Sequence, residues 1–215
     1  MSNMKKIFLT PTKLIILVKY PLFLLKAKRL SIEHIRLTNN QIKQTQTYWK
    51  LHQKTKQSKK FNEYFNTALY CSITLRDISI LYMDYITTKN KSKQNLYSRL
   101  LSMTIIEFLE DINFLLGKNL KQEFESNELK EFIPELNNIN KKFALLKKEN
   151  NKELRIIRNN ASAHKTKDSL KLINLTDKTH VKEIEKITSN IFIIQIELYH
   201  LMREIEKRIA YLDLR

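Results

Sequence analysis

The residues best suited to chemistry lie close together in the last third of the chain, where Arg158 and His164 flank Asn-Asn-Ala-Ser-Ala. An arginine presents planar donors that match phosphate oxygens, and a histidine can transfer a proton near neutral pH. Small residues between them leave space beside a helix for another molecule. We therefore predict a shallow basic groove that could bind a phosphodiester.

Neighbouring side chains extend this candidate site. Asn159 is a further catalytic candidate, and we assign RNA or phosphate binding to Asn160, Lys165 and Lys167. On an ideal helix Arg158 lies about 120° round the axis from His164. Convergence of the two side chains would need the long arginine side chain, a local distortion or a second protomer.

The candidate site belongs to a chain that is patterned for helices. Apolar residues recur at steps of three and four over 61–85, 101–115, 132–146 and 184–212, which is the period of a helix with one buried face. One glycine and three prolines leave little material for hairpins. We predict an all-α, up-and-down bundle of four to five long helices with a basic N-terminal helical extension.

A proline and a glycine predict where two of the helices begin or end. Pro134 should lie in the first turn of the third helix or mark a kink in it. Gly117 follows the second apolar stripe and could take the left-handed conformation that ends many helices.

The N-terminal 60 residues differ from the rest in charge. The chain carries a formal net charge of +17, and residues 1–60 hold 14 lysines and arginines but one acid, Glu33. Such an excess favours polyanions, although Lys-rich composition throughout the chain is an alternative explanation. Residues 38–60 are polar and predict a solvated helix or linker. We therefore divide the chain into a basic extension, 1–60, and a bundle, 61–215.

Residues 7–25 are apolar enough to raise the question of a membrane. Lysines and prolines interrupt them, so a spanning helix or a secretory signal is not expected. Pro11 suggests a short helix that ends near Pro21. Peripheral membrane contact and packing onto the bundle both remain open for this segment.

Most other chemistry finds little support. One glycine excludes a phosphate-binding glycine loop, and we expect neither a cofactor nor a metal. Glu197 and His200 form one Glu-x-x-His pair where a di-iron centre needs two. Glu107, Glu110 and Asp111 could form an acidic patch that receives an arginine or a cation, and we favour a solvated face. Arg76 and Asp77 could be a buried pair, and we favour the edge of the apolar stripe. The single cysteine, Cys71, is expected to be a buried thiol, consistent with a cytoplasmic protein.

The Arg158-Asn159 pair, followed by His164 after five intervening residues, resembles the hallmark motif of the HEPN superfamily of small helical bundles. The likeness is closest over 153–168, looser over 61–215, and absent from 1–60. The resemblance implies a metal-independent endoribonuclease of the toxin-antitoxin or phage-defence kind, in which the motifs of two protomers meet.

By this resemblance His164 would act as general base or acid on the ribose 2′-hydroxyl, and Arg158 would hold the scissile phosphate. Asn159 would position the pair or the RNA, and cleavage would leave a 2′,3′-cyclic phosphate. The implied partners are RNA, a second copy of the chain, and an antitoxin or a nucleotidyltransferase. Many members of the superfamily are inactive, so the fold alone is no evidence of cleavage.

A second hypothesis is a non-catalytic adaptor. In this hypothesis the chain dimerises through its final helix and docks on a partner protein or a membrane surface through residues 1–60. The stripe over 184–212 is long enough to pack against the chain's own core or another protomer.

Overall fold

Long helices make up the architecture. The computed structural model describes the backbone of residues 11–161 and 181–215, and the side chains of 22, 24–152, 155 and 184–215. The helices are α1 (Pro11–His52), α2 (Asn62–Thr87), α3 (Lys91–Leu115), α4 (Lys118–Ser126), α5 (Ile133–Ala161) and α6 (Val181–Asp213), with a 3₁₀ turn at Lys130–Phe132. The predicted all-α bundle is confirmed.

Long helices that follow one another in the chain run in opposite directions, whereas the neighbours α1 and α6 are parallel, since Gln41 meets Glu206 and His52 meets Asp213. α2 packs against α3, α3 against α5, and α5 against α6, while α1 lies along α2 and α6. Side-chain pairs fix the directions of α5 and α6, because Lys142 meets Glu197 and Arg208 meets Glu131. α5 and α6 are therefore antiparallel.

Burial follows the four apolar stripes expected from the sequence. Every stripe has the 3.6-residue period of a helix, so its members face one side and exclude water together. Its most deeply buried members include Ala68, Cys71, Leu75, Ile78, Leu101, Ile105, Phe108, Ile112, Ile139, Phe143, Ile187, Ile191, Leu198 and Ile205.

Pro134 lies where the sequence predicted, whereas Gly117 has a different backbone conformation from the predicted one. Pro134 lies in the first turn of α5, as predicted, where its missing N–H costs no helical hydrogen bond. Gly117 has φ −91° and ψ −141°, so the predicted left-handed conformation is wrong. The position needs glycine because a Cβ there would lie 2.6 Å from the carbonyl oxygen of Phe114.

α1 departs most from the sequence-based expectation. It is one helix of 42 residues, whereas we predicted a short helix ending near Pro21 and a solvated helix or linker over 38–60. The helix passes through Pro21, which removes one backbone hydrogen bond without ending it. Its apolar contacts with the bundle core are made by Leu24, Ala27, Tyr48 and Trp49. The division of the chain at residue 60 stays a prediction.

A polar contact with α6 explains why this polar helix is partly buried. Glu206 is only 1% exposed, and its Oε1 accepts hydrogen bonds from Gln41 Nε2 at 3.1 Å and Thr45 Oγ1 at 2.5 Å. Its Oε2 accepts a third from Gln44 Nε2 at 2.9 Å. Burial raises the pKa of Glu206, and the three donors oppose that rise.

A second polar contact ties the end of α1 to the end of α6. The ring of His52 is fully buried, with Nδ1 2.9 Å from Asp213 Oδ2 and Nε2 2.9 Å from the carbonyl oxygen of Lys60. Both ring nitrogens thus face acceptors. The polar residues that suggested a linker instead hold three segments together.

The start of α2 lacks a capping side chain of its own. Its N-cap is Phe61, a buried residue in the left-handed conformation at φ 60°. The carboxylate of Glu123 on α4 substitutes for the missing cap, accepting hydrogen bonds from the backbone N–H of Glu63 at 3.1 Å and of Tyr64 at 2.9 Å. Negative charge is also favourable at a helix N-terminus.

Candidate functional site

α5 is the element that carries the start of the candidate motif. Its buried face packs Phe143 edge-on against Phe108 of α3, with ring centroids 5.3 Å apart. Asn140 Nδ2 lies 3.5 and 3.4 Å from the carbonyl oxygens of Asn113 and Leu116 near the end of α3, in position to donate to them. The first half of α5 is thus fixed in position and register against α3.

The opposite face of α5 is exposed and basic. Lys141, Lys148 and Arg155 recur every seven residues along it, and Lys152 lies beside them. Seven residues are nearly two turns, so the three lie on one side of the helix about 10 Å apart. Among the residues that the structure describes, none of the four makes an ion pair. We call these four residues the α5 basic face.

The motif begins one turn beyond this face. Arg158, Asn159 and Asn160 lie in the last turn of α5, within the helical backbone but outside the described side chains. His164, Lys165 and Lys167 lie outside the described residues. The convergence of Arg158 with His164 therefore stays a prediction, as do the roles assigned to all six residues.

More positive charge lies at this end of the bundle. α3 and α5 are antiparallel, and Phe108 faces Phe143, so Lys93 is about level with Arg158, roughly fifteen residues away along each helix. Lys89, Lys91 and Lys93 are exposed around the start of α3. The last turn of α5 therefore lies at a basic end of the bundle.

The acidic group on α3 lies in a groove against α2. Glu107, Glu110 and Asp111 are exposed, as the predicted solvated face requires, and the cavity beside them measures about 670 Å³. Tyr70 donates a hydrogen bond to Asp111 Oδ2 at 2.6 Å. Asp77 also lines this groove, and its carboxylate accepts a hydrogen bond from the guanidinium of Arg76. Both side chains are partly exposed at the edge of the apolar stripe of α2, as predicted.

Metal-binding groups are not assembled in the described part of the chain, where no three His, Cys, Asp or Glu side chains are placed to hold an ion. Glu197 forms an ion pair with Lys142 of α5, and His200 is exposed. The Glu-x-x-His pair thus matches the expected solvated face.

Cys71 is fully buried in the core, as predicted. Burial raises the pKa of its thiol to about 12, because the apolar surroundings disfavour the thiolate. The reactive thiolate is therefore scarce at neutral pH, and Cys71 acts as a small apolar residue.

The outer face of α1 combines charge with apolar surface. Arg29, Arg36, Lys43 and Lys50 are exposed at seven-residue steps. Exposed apolar side chains occupy the same side of its first half, namely Leu22 at 60%, Leu25 at 64% and Ile32 at 50%. None of the described helices is sufficiently long and apolar to cross a membrane.

Neither basic face was predicted from the sequence. Apolar periodicity locates buried positions, and the net charge of a segment does not show how its cations are spaced along a helix. The signal was present, since a lysine or arginine recurs every seven residues on each helix.

Comparisons with known proteins identify no relative of this chain. The chain matches no family model, and no curated protein and no solved structure is significantly similar to it. The HEPN resemblance thus remains a prediction that rests on the motif and the helical bundle.

Proposed function

We propose that the chain is a metal-independent endoribonuclease that acts as a homodimer, with Arg158 and His164 at its active site. His164 exchanges a proton with the ribose 2′-hydroxyl, and Arg158 binds the scissile phosphate and neutralises its charge. Asn159 positions the pair or the RNA. Attack of the 2′-oxygen on phosphorus breaks the bond to the 5′-oxygen and leaves a 2′,3′-cyclic phosphate, while the leaving oxygen gains a proton.

The observation that carries this proposal is the position of Arg158. It lies in the last turn of α5, one turn beyond the α5 basic face and about level with the lysines at the start of α3. A polyanion is attracted to such a surface, and positive surroundings stabilise the extra negative charge of a phosphorane-like transition state. The all-α bundle is also the fold class that the motif implies.

Expression of the chain tests the proposal. The wild type, Arg158→Ala and His164→Ala are induced in parallel, and growth and cellular RNA integrity are followed. Circular dichroism of each purified protein confirms helical folding. We expect RNA breakdown and growth arrest from the wild type alone, and equal breakdown by all three would refute the assigned site.

The outer face of α1 favours a second candidate function, a non-catalytic adaptor. Leu22, Leu25 and Ile32 expose apolar surface next to Arg29 and Arg36. An interfacial helix inserts apolar side chains among lipid headgroups while its cations meet anionic lipids. In this candidate function α1 holds the chain at an anionic membrane surface.

Vesicle sedimentation tests the adaptor independently of the nuclease. Binding to vesicles that contain phosphatidylserine, and its loss in a Leu22→Ser, Leu25→Ser, Ile32→Ser variant, would support the adaptor. The nuclease requires neither result. A wild type that stays in the supernatant with anionic and neutral vesicles alike would refute membrane docking by α1.

A further inference from the structure

The α5 basic face leads directly to the proposed active site. Lys141, Lys148 and Arg155 cover about 21 Å of helix, and Arg158 follows in the next turn. We propose that this face is the RNA-binding track of the protein, along which a single strand lies with its phosphates on these side chains. This inference rests on the proposed function for the identity of the polyanion, and it adds the surface that binds the substrate.

The cations of this face are available for a ligand. Each is exposed, and each lacks an ion pair with any other described residue. Lys142, which is next to Lys141, differs because it is held by Glu197 of α6. Lys142 thus links α5 to α6 through an ion pair, whereas the charges of Lys141 and Lys148 face solvent.

The spacing suits a flexible polyanion better than a folded protein partner. Ala144 and Leu145 are exposed between Lys141 and Lys148, so Leu145, at 46% exposure, is the one large apolar side chain that the described part of this face offers a partner. Protein interfaces gain stability mainly from buried apolar and aromatic residues, whereas nucleic acid affinity comes largely from cations that replace counterions. α1 differs in extent, since three large apolar side chains, Leu22, Leu25 and Ile32, are exposed beside its cations.

α1 therefore supplies a matched control. Lys141→Gln, Lys148→Gln, Arg155→Gln removes two lysines and one arginine at seven-residue steps from α5. Arg36→Gln, Lys43→Gln, Lys50→Gln removes the same charges at the same steps from α1. The two variants have equal net charge, and all six positions are exposed helix sites where glutamine is well tolerated.

Binding is measured by fluorescence anisotropy with a labelled RNA single strand of mixed sequence, over a range of salt concentrations. Each protein also carries His164→Ala, so that cleavage cannot obscure binding. Log K falls linearly with log salt, and each lost phosphate contact makes this slope shallower by about 0.7. The loss of three contacts should therefore make the slope shallower by about 2. Affinity at 0.1 M salt should fall by about 100-fold in the α5 variant, and the α1 variant should keep the original slope.

The outcomes separate this inference from the proposed function. Equal losses in the two variants, or an unchanged slope in the α5 variant, would overturn the RNA track. A loss confined to the α5 variant would support the track even if the wild type, with His164 intact, failed to cleave RNA. In that last case the nuclease would be refuted and the chain would bind RNA without cutting it.

Discussion

Replacement of Glu206 by alanine tests what holds α1 against α6. The carboxylate is 1% exposed and accepts three hydrogen bonds, two of them from the buried groups Gln41 Nε2 and Thr45 Oγ1. Its removal leaves these donors without that acceptor in a dry site. A buried unsatisfied polar group costs about 1–3 kcal/mol, so Glu206→Ala should lower the free energy of unfolding by about 2–4 kcal/mol.

Glutamine at the same position should behave differently. Glu206→Gln can keep its oxygen where Gln41 and Thr45 donate, and the amide of Gln44 can turn so that its oxygen accepts from the new N–H₂ group. We expect a change within about 1 kcal/mol at pH 7, because the hydrogen bonds largely survive and a charge no longer has to be buried.

The difference in stability between Glu206→Gln and the wild type should depend on pH. Burial raises the pKa of folded Glu206 above its ordinary value of 4.5, so the folded state holds the proton more tightly than the unfolded chain. The resulting stabilisation is complete below pH 4.5 and is lost as pH rises through the folded pKa. Glu206→Gln lacks this titration, and its stability should therefore rise relative to the wild type from pH 4.5 to pH 7.

Urea denaturation at several pH values measures both effects. Glu204→Ala is the control, since Glu204 is exposed two positions away and pairs with Lys207 at the surface, where such a pair contributes about 0–1 kcal/mol. If Glu206→Ala destabilised no more than this control, the buried network would not hold the helices. A wild type and a Glu206→Gln variant with parallel pH profiles would contradict the raised pKa.

Two further substitutions and one labelling experiment probe the ends and the core of the bundle. Glu123→Ala should lower the free energy of unfolding by about 1–2 kcal/mol in urea titration, because the backbone N–H of Tyr64 and its neighbour lose their cap; no change would mean that water caps α2 equally well. Gly117→Ala should lower the melting temperature at a cost of about 1–3 kcal/mol, because its Cβ would strike the Phe114 carbonyl; an unchanged value would contradict that contact. Cys71 should react with a thiol reagent only in denaturant, since burial raises its pKa to about 12; rapid reaction of folded protein would contradict its burial.

Apolar periodicity was enough to predict the bundle. Positions such as Ile105, Phe143 and Ile191 are buried because a helical repeat puts them on one face, and that geometry can be read from spacing alone. Pro134 was predictable for a similar local reason. Its missing N–H is harmless in the first turn of a helix.

Contacts between distant segments were not predictable in this way. Gln41, Thr45 and His52 resemble solvated residues until Glu206 and Asp213, more than 150 positions away, are folded against them. A polar residue in a sequence carries no sign of a buried partner, so α1 was predicted as a short helix followed by a solvated helix or linker.

At the candidate site, too, the local features were predictable and the contacts between distant residues were not. The residue types and the spacing of Arg158 and His164 could be recognised in the sequence, and the helical backbone at Arg158 agrees with it. Convergence of the two side chains depends on tertiary or dimer contacts that a local motif does not encode. The α5 basic face could have been found from its seven-residue repeat, because exposed positions obey the same helical period as buried ones.

Cleavage of RNA by Arg158 and His164 is tested by the chemical ends of the product fragments. Purified wild-type protein is incubated with a 5′-labelled single-stranded RNA in excess chelator, and the fragments are analysed by mass spectrometry beside those from folded His164→Ala. We predict fragments with 2′,3′-cyclic phosphate ends from the wild type and intact RNA from the variant. Intact RNA with the wild type, or 3′-hydroxyl ends that His164→Ala produces equally well, would show that Arg158 and His164 do not form this active site.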